Sequence, residues 1–164
     1  KLGEHNGWGK MTNHEIDGRI PFIIRDPRAK ANGRRCEKLV ETLDVFPTLC
    51  ELAEAPIPEQ LDGISFVPTL VGGKQKSHEY LYWEFHEQGG KRAVRFGKDG
   101  RWKAVQLRLN KMGRDAPVEL YDLEKDPAEK NNVASRNKEQ IDQAKTYFEA
   151  AHTENDFFKF AWEK

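Results

Sequence analysis

The chain has 164 residues, 27 Lys and Arg against 27 Asp and Glu, with 33% charged and 37% hydrophobic residues. That length suits one domain or one lobe of a larger protein, able to bury roughly 68–70% of its unfolded surface. The balanced charge advertises neither nucleic acid nor an anionic membrane as a partner. No apolar run approaches the ~18 residues of a membrane span, and Cys36 and Cys50 lack the spacing of a disulfide scaffold or a zinc site.

Residues 1–19 are rich in Gly, Asn, His and charge and read as a loop. The chain opens in the middle of that loop, at Lys1-Leu2-Gly3, with no initiator Met, which reads either as a removed targeting segment or as a piece cut from a longer chain. Ile20-Pro21-Phe22-Ile23-Ile24 is a continuous apolar run that predicts a strand buried on both faces. A basic turn region follows over 28–35, and Leu39-Val40 suggests a second short strand. From Asp44 to Ala55 the pattern predicts a helix capped by Asp44, with Pro47 in its first turn. Leu43, Phe46, Leu49, Cys50 and Ala53 would form its core-facing stripe, which makes Cys50 a small buried hydrophobe rather than a nucleophile. Residues 61–70 suggest a turn and then one short helical turn, ending at Gly72-Gly73.

The texture changes near residue 77. Tyr80–Phe85, Ala93–Phe96, Trp102–Leu109 and Val118–Tyr121 are short aromatic or β-branched runs separated by glycine-containing connections. They predict an antiparallel sheet of about four strands. A helix over Lys138–Ala151, capped by Asn137, would pack Ile141, Ala144, Phe148 and Ala151 against it. Arg95, Arg101, Lys103 and Arg108, at alternating or near-alternating positions, read as the wet face of this sheet. The predicted organisation is α/β: residues 1–76, and 77–164 as a small α+β unit. Residues 77–152 would be the more stable part, with 1–35 mobile or held by contacts outside the chain.

Two polar clusters could carry chemistry. In Glu4-His5-Asn6-Gly7-Trp8-Gly9-Lys10, glycines allow close approach of backbone to a ligand, and Lys10 beside a histidine suits a tetrahedral oxyanion. In Glu84-Phe85-His86-Glu87-Gln88-Gly89-Gly90-Lys91, a histidine between carboxylates sits at a hairpin tip. Solvated loops are the plainer reading of both. His5 and His14 match no metal-ligand spacing, and no GxSxG, P-loop or HExxH motif occurs.

Four ordered blocks resemble a known family. Leu2-Gly3-Glu4-His5-Asn6-Gly7-Trp8-Gly9-Lys10 with Arg19-Ile20-Pro21-Phe22 resembles the later part of the catalytic domain of type I sulfatases, in the iduronate-sulfatase style. Leu43-Asp44-Val45-Phe46-Pro47-Thr48-Leu49 with Leu61-Asp62-Gly63 looks like the helix and the stretch leading to the C-terminal subdomain. Tyr82-Trp83-Glu84-Phe85 and Trp102-Lys103-Ala104-Val105 resemble that subdomain in arylsulfatase-like members. Glu119-Leu120-Tyr121-Asp122-Leu123 with Asp126-Pro127-Ala128-Glu129-Lys130-Asn131-Asn132 resembles the family's C-terminal signature.

The resemblance implies the end of a sulfatase α/β catalytic domain over 1–76. Residues 77–164 would then be its C-terminal subdomain, an antiparallel sheet with a packed C-terminal helix, in the alkaline phosphatase superfamily. It implies sulfate-ester hydrolysis by a formylglycine made in a CxPxR-type motif, aided by Ca²⁺. Neither Cys36 nor Cys50 matches that motif, so nucleophile and calcium ligands are expected upstream, in a missing N-terminal catalytic region. Lys10 maps to a sulfate-binding lysine, and Glu4, His5 and Trp8 would line the same pocket. His86 and Lys91 are the candidate substrate contacts on the hairpin. The implied partner is a sulfated carbohydrate or aryl sulfate, and the implied compartment periplasmic or secreted. Two other readings stand beside this one: a non-catalytic module for sulfated glycan, and a phosphoryl-transfer relative of the same superfamily.

Overall fold

Aromatic and β-branched residues favour pleated, half-buried surfaces, and the four runs predicted as strands pair with one another. The computed structural model describes residues 8–9, 11–28 and 33–164. In chain order its helices and strands are α1 (Glu15–Gly18), α2 (Val45–Leu52), α3 (Val67–Val71), β1 (Tyr80–Phe85), β2 (Lys91–Phe96), β3 (Trp102–Leu107), α4 (Leu109–Met112), β4 (Val118–Asp122) and α5 (Lys138–Ala151). The strands form one antiparallel sheet in the order β1-β2-β3-β4. Phe85 pairs with Lys91 and Lys91 with Leu107 at one end, while Tyr80, Phe96, Trp102 and Asp122 align at the other. The β1–β2 turn needs Gly90: its φ is +69°, and a Cβ there would lie 2.9 Å from Asn110 Oδ1.

Alternation along the paired strands sends successive side chains to opposite faces. On one face Val94, Phe96, Ala104 and Leu120 meet Ala144 and Phe148 of α5, all essentially inaccessible to water. The i, i+3, i+7 spacing of Ile141, Ala144 and Phe148 puts one stripe of the helix on the sheet. Burying each large apolar side chain there contributes about 1.5–3 kcal/mol. Helix α5 has the predicted bounds, but Asn137 does not cap it: its amide donates to the Val133 carbonyl at 2.8 Å.

The opposite face is covered too, which corrects the reading of Lys103 as solvated, whereas Arg108 is exposed as expected. Ala93, Val105 and Tyr121 are buried there with Trp83, Leu107 and Leu123 packed around them. Lys103 is only 1% exposed. The cover comes from residues 13–15, whose contacts are given below. Two compact units result: the described residues up to Ile20 with Tyr80–Lys164, and Pro21–Glu79. The spatial grouping thus puts the described residues before Pro21 with the sheet, where the sequence suggested 1–76 and 77–164. It also shows that Thr12–Gly18 is held by contacts within the chain.

In the second unit Asp44, 2% exposed, accepts from the Glu41 N–H at 2.8 Å and the Ile64 N–H at 2.7 Å, and meets His78 Nε2 at 2.8 Å. The Thr48 hydroxyl donates to the Asp44 carbonyl at 2.6 Å and accepts from Phe66 N–H at 3.0 Å. Gly63 is required by proximity, since a Cβ would fall 2.1 Å from the Leu43 carbonyl oxygen. Helix α2 forms within the predicted stretch, over Val45–Leu52, but the Asp44 side chain does not cap it and its buried positions are Pro47 and Thr48. Leu43, Phe46 and Leu49, predicted to face a core, are all more than half exposed. Ile20–Ile24 and Leu39-Val40 form no strands, and Ile23 is 92% exposed. A strand buried on both faces needs neighbours, and none is offered among the described residues.

Candidate functional site

Of the predicted site residues, His5 and Lys10 lie outside the described residues, as does Glu4. Trp8 is exposed. The five residues after Lys10 are each engaged. Gln88 Nε2 lies 3.0 Å from the Met11 sulfur, which places the tip of the β1–β2 hairpin against this segment. Thr12 donates from its backbone N–H to Asp17 at 2.7 Å, and its hydroxyl donates to the same carboxylate. Asn13 donates to the Trp83 carbonyl at 3.3 Å. His14 meets Tyr121 edge-on, centroids 5.8 Å apart, with Nε2 3.5 Å from Glu119. Glu15 pairs with Arg95 at 2.8 Å and Lys103 at 3.2 Å, and its N–H donates to Glu129 at 2.7 Å.

Burial pushes the Lys103 ammonium pKa below its ordinary value even though Glu15 opposes the shift. It pushes the Glu129 carboxyl up, against the pull of His14 and the Glu15 N–H. These charges share a dry face, and sequence reading missed them. Adjacent apolar pairs, Ala93-Val94 and Ala104-Val105, were the available signal that both faces are covered.

The hairpin residues are built in rather than projecting. His86 stacks on Phe160, centroids 4.2 Å apart, with Nε2 3.1 Å from Glu84. Lys91 Nζ donates to the Gln88 carbonyl at 3.1 Å and lies 4.8 Å from the centre of the Phe85 ring. Arg92, also buried, donates to Gln106 at 2.7 Å and covers the Phe148 ring at 4.6 Å. At the far end of the sheet, a concavity of about 350 Å³ is lined by Arg101, Trp102, Asp122, Asp126, Asn131 and Asn137. There Arg101 pairs with Asp122 at 2.7 Å, and Asp126 accepts from the Asn131 N–H at 2.7 Å.

His152 ties the C-terminal segment to the hairpin. Its two ring nitrogens lie 2.5 Å from Glu84 and 2.8 Å from Glu163, which only a doubly protonated ring satisfies fully. Burial disfavours that charge, but hydrogen bonds to Glu84 and Glu163 outweigh it and hold the pKa above the usual 6.5. Tyr82, which donates to Glu84, and Arg92 and His86 complete the charged surroundings. A raised folded-state pKa means stabilisation that is present at lower pH and lost as pH climbs through that value. The acid limit is the Glu163 carboxyl. Burial raises its pKa, but the Phe160 N–H and His152 bring it below the ordinary value. The expected result is that the Trp162 indole N–H resonance, whose ring lies 6.4 Å from His152, shifts on raising pH from about 6 to 9. His152→Gln should abolish the shift, and a flat wild-type titration would contradict the assignment.

The comparisons with known proteins agree with this architecture. Residues 3–154 match the family described as N-sulphoglucosamine sulphohydrolase, C-terminal. An N-acetylgalactosamine-6-O-sulfatase of Bacteroides thetaiotaomicron is 30% identical over 168 residues, covering 93% of this chain and 30% of the relative. A Delta 4,5-hexuronate-2-O-sulfatase of the same organism is 37% identical over 132 residues, 77% of this chain and 25% of the relative. The chain thus spans less than a third of the length of these relatives. A protein solved with its substrate D-glucosamine-2-N,6-O-disulfate shares the fold at TM-score 0.77 and 24% identity, over 92% of this chain and 31% of that one. A phosphonate monoester hydrolase of Silicibacter pomeroyi superposes at TM-score 0.67 and 25% identity, over 92% of this chain and 31% of that one. With its four-stranded sheet, its packed helix and a profile match over nearly its whole length, this chain belongs to the N-sulphoglucosamine sulphohydrolase C-terminal family of sulfatases.

Proposed function

We propose that the complete protein is a sulfatase that hydrolyses sulfate esters, and that its substrate is a sulfated carbohydrate. The observation that carries this reading is the family match over residues 3–154. The named relatives support the sugar: two act on sulfated sugar units by name. Lys10 would neutralise sulfate oxygens as they gain charge, with Glu4, His5 and Trp8 beside it. Because Gln88 touches Met11, a sugar held at Lys10 would meet the hairpin tip. His86 and Lys91 would then act on the substrate through the turn they brace. Among the described residues no group of three or more His, Cys, Asp or Glu could hold a metal ion. Neither Cys36 nor Cys50 lies in a CxPxR-type motif, so in this reading the formylglycine, and the Ca²⁺ beside it, would be held by other residues of the complete protein. The exposed Leu43, Phe46, Leu49 and Ile23 support packing against the remainder of a longer protein.

The test is hydrolysis by the purified complete protein of a sulfated hexosamine and a chromogenic aryl sulfate, each beside its phosphate or phosphonate counterpart. Turnover of the sulfate esters is expected. Residues 1–164 alone should show none, since nucleophile and metal supply most of the rate enhancement. Preference for the phosphonate ester would favour the second reading, a phosphoryl-transfer relative, which the likeness to the phosphonate monoester hydrolase supports. Turnover by the isolated 164 residues would refute the placement of the nucleophile elsewhere.

A further inference from the structure

The charges buried on the sheet have no evident purpose in stability. A buried ion pair offsets its desolvation cost only partly, and apolar residues of equal volume often serve as well or better. Yet Glu15 is held at three points by three different parts of the fold. One carboxylate oxygen meets Arg95 of β2 at 2.8 Å and the other meets Lys103 of β3 at 3.2 Å. Its backbone N–H donates to Glu129, beyond β4, at 2.7 Å. The two cations are themselves fixed. Arg95 Nε donates to the Gly100 carbonyl at 2.7 Å, and Lys103 Nζ lies 3.9 Å from the centre of the Trp83 ring. Charge-assisted, directional bonds of this kind specify position more than they add stability.

What they position is the segment that leads back to Lys10. Glu15 lies five residues after Lys10, and Met11, Thr12, Asn13 and His14 each hold a contact between them. We propose that Glu15, gripped by Arg95 and Lys103, is a positioning residue that sets the register on the sheet of residues 11–14, which follow Lys10 in the chain. This rests on the sulfatase reading and on the role of Lys10 in it. Misplacement of a catalytic contact by about 1 Å can cost 10²-fold in rate, so a rigid anchor a few residues away has a chemical use.

The experiment is a cycle in the complete protein. Glu15→Gln combined with Lys103→Met removes both buried charges together, keeps an acceptor for Arg95, and leaves an apolar stem against Trp83. In the wild-type background this pair is expected to lower kcat on a sulfate ester by about 10–100-fold, the usual scale for supporting contacts, with KM little changed. In the Lys10→Ala background the same pair should lower kcat by less than about threefold, because both changes remove one contribution. Deuterium uptake should rise in a peptide over residues 8–14 and stay unchanged over β2 and β3. If the pair fails to fold, Arg95→Lys shortens the clamp while keeping every charge, and carries the same expected pattern at smaller amplitude. An equal loss in both backgrounds, or no loss in either, overturns the proposal while leaving the sulfatase reading intact. Wild-type kinetics for Lys10→Ala alone would remove Lys10 from the site and overturn the proposal with it, while sulfate-ester turnover itself would keep the sulfatase reading.

Discussion

Replacing Lys10 by alanine in the complete protein is expected to lower kcat by on the order of 10²–10³, about 2.7–4 kcal/mol of transition-state stabilisation. In the proposed reading the ammonium would contact sulfate oxygens that gain negative charge as the ester S–O bond breaks, so the loss should fall on kcat more than on KM. The melting temperature should hold. Lys10 follows a glycine-rich run, and its nearest apolar neighbours in sequence are Trp8, which is exposed, and Met11. Arginine should restore activity only in part, because a planar guanidinium needs a different approach from a point ammonium. Kinetics and melting of Lys10→Ala and Lys10→Arg decide the matter. A collapsed melting temperature would make Lys10 structural.

Phe148→Ala is expected to destabilise the unit that holds the sheet by about 3–5 kcal/mol, the range for deleting a fully buried ring. Phe148 is completely buried beside Val94, Phe96, Ala104, Leu120 and Ala144, with Tyr82 against its edge. It also carries the Arg92 guanidinium on its face at 4.6 Å. The void would thus lie under a buried cation, which limits how far the site can collapse. Against typical net stabilities of about 5–15 kcal/mol, such a loss is large. Urea unfolding of the 164-residue chain measures it. A change below about 1 kcal/mol would show that α5 is not the main support of that face.

β1 and α5 have the predicted bounds because their signals are local: an aromatic-rich run in the one, an i, i+3, i+7 stripe in the other. Helix α2 also forms, yet its stripe of Leu43, Phe46 and Leu49 is exposed, since a pattern specifies a face but not what covers it. Ile20–Ile24 has the composition of a buried strand and remains unpaired, because a strand exists only through its neighbours. Lys103 failed in the opposite direction. An alternating lysine in a sheet reads as solvent-facing until another segment crosses it, and Glu15 does so from 88 positions earlier in the chain.

By itself, then, the sequence determined the elements whose causes lie within a few residues, and through four ordered motifs it determined the family. The tertiary structure alone decided which faces are dry. It laid residues 13–15 across the sheet, turned Glu15, Arg95 and Lys103 into one clamp, and set the hairpin of Gln88 against Met11. Those pairings join groups about 80 positions apart. They arise where closing a long loop is repaid by burying apolar surface and matching charges in the same place, and no local pattern encodes that balance.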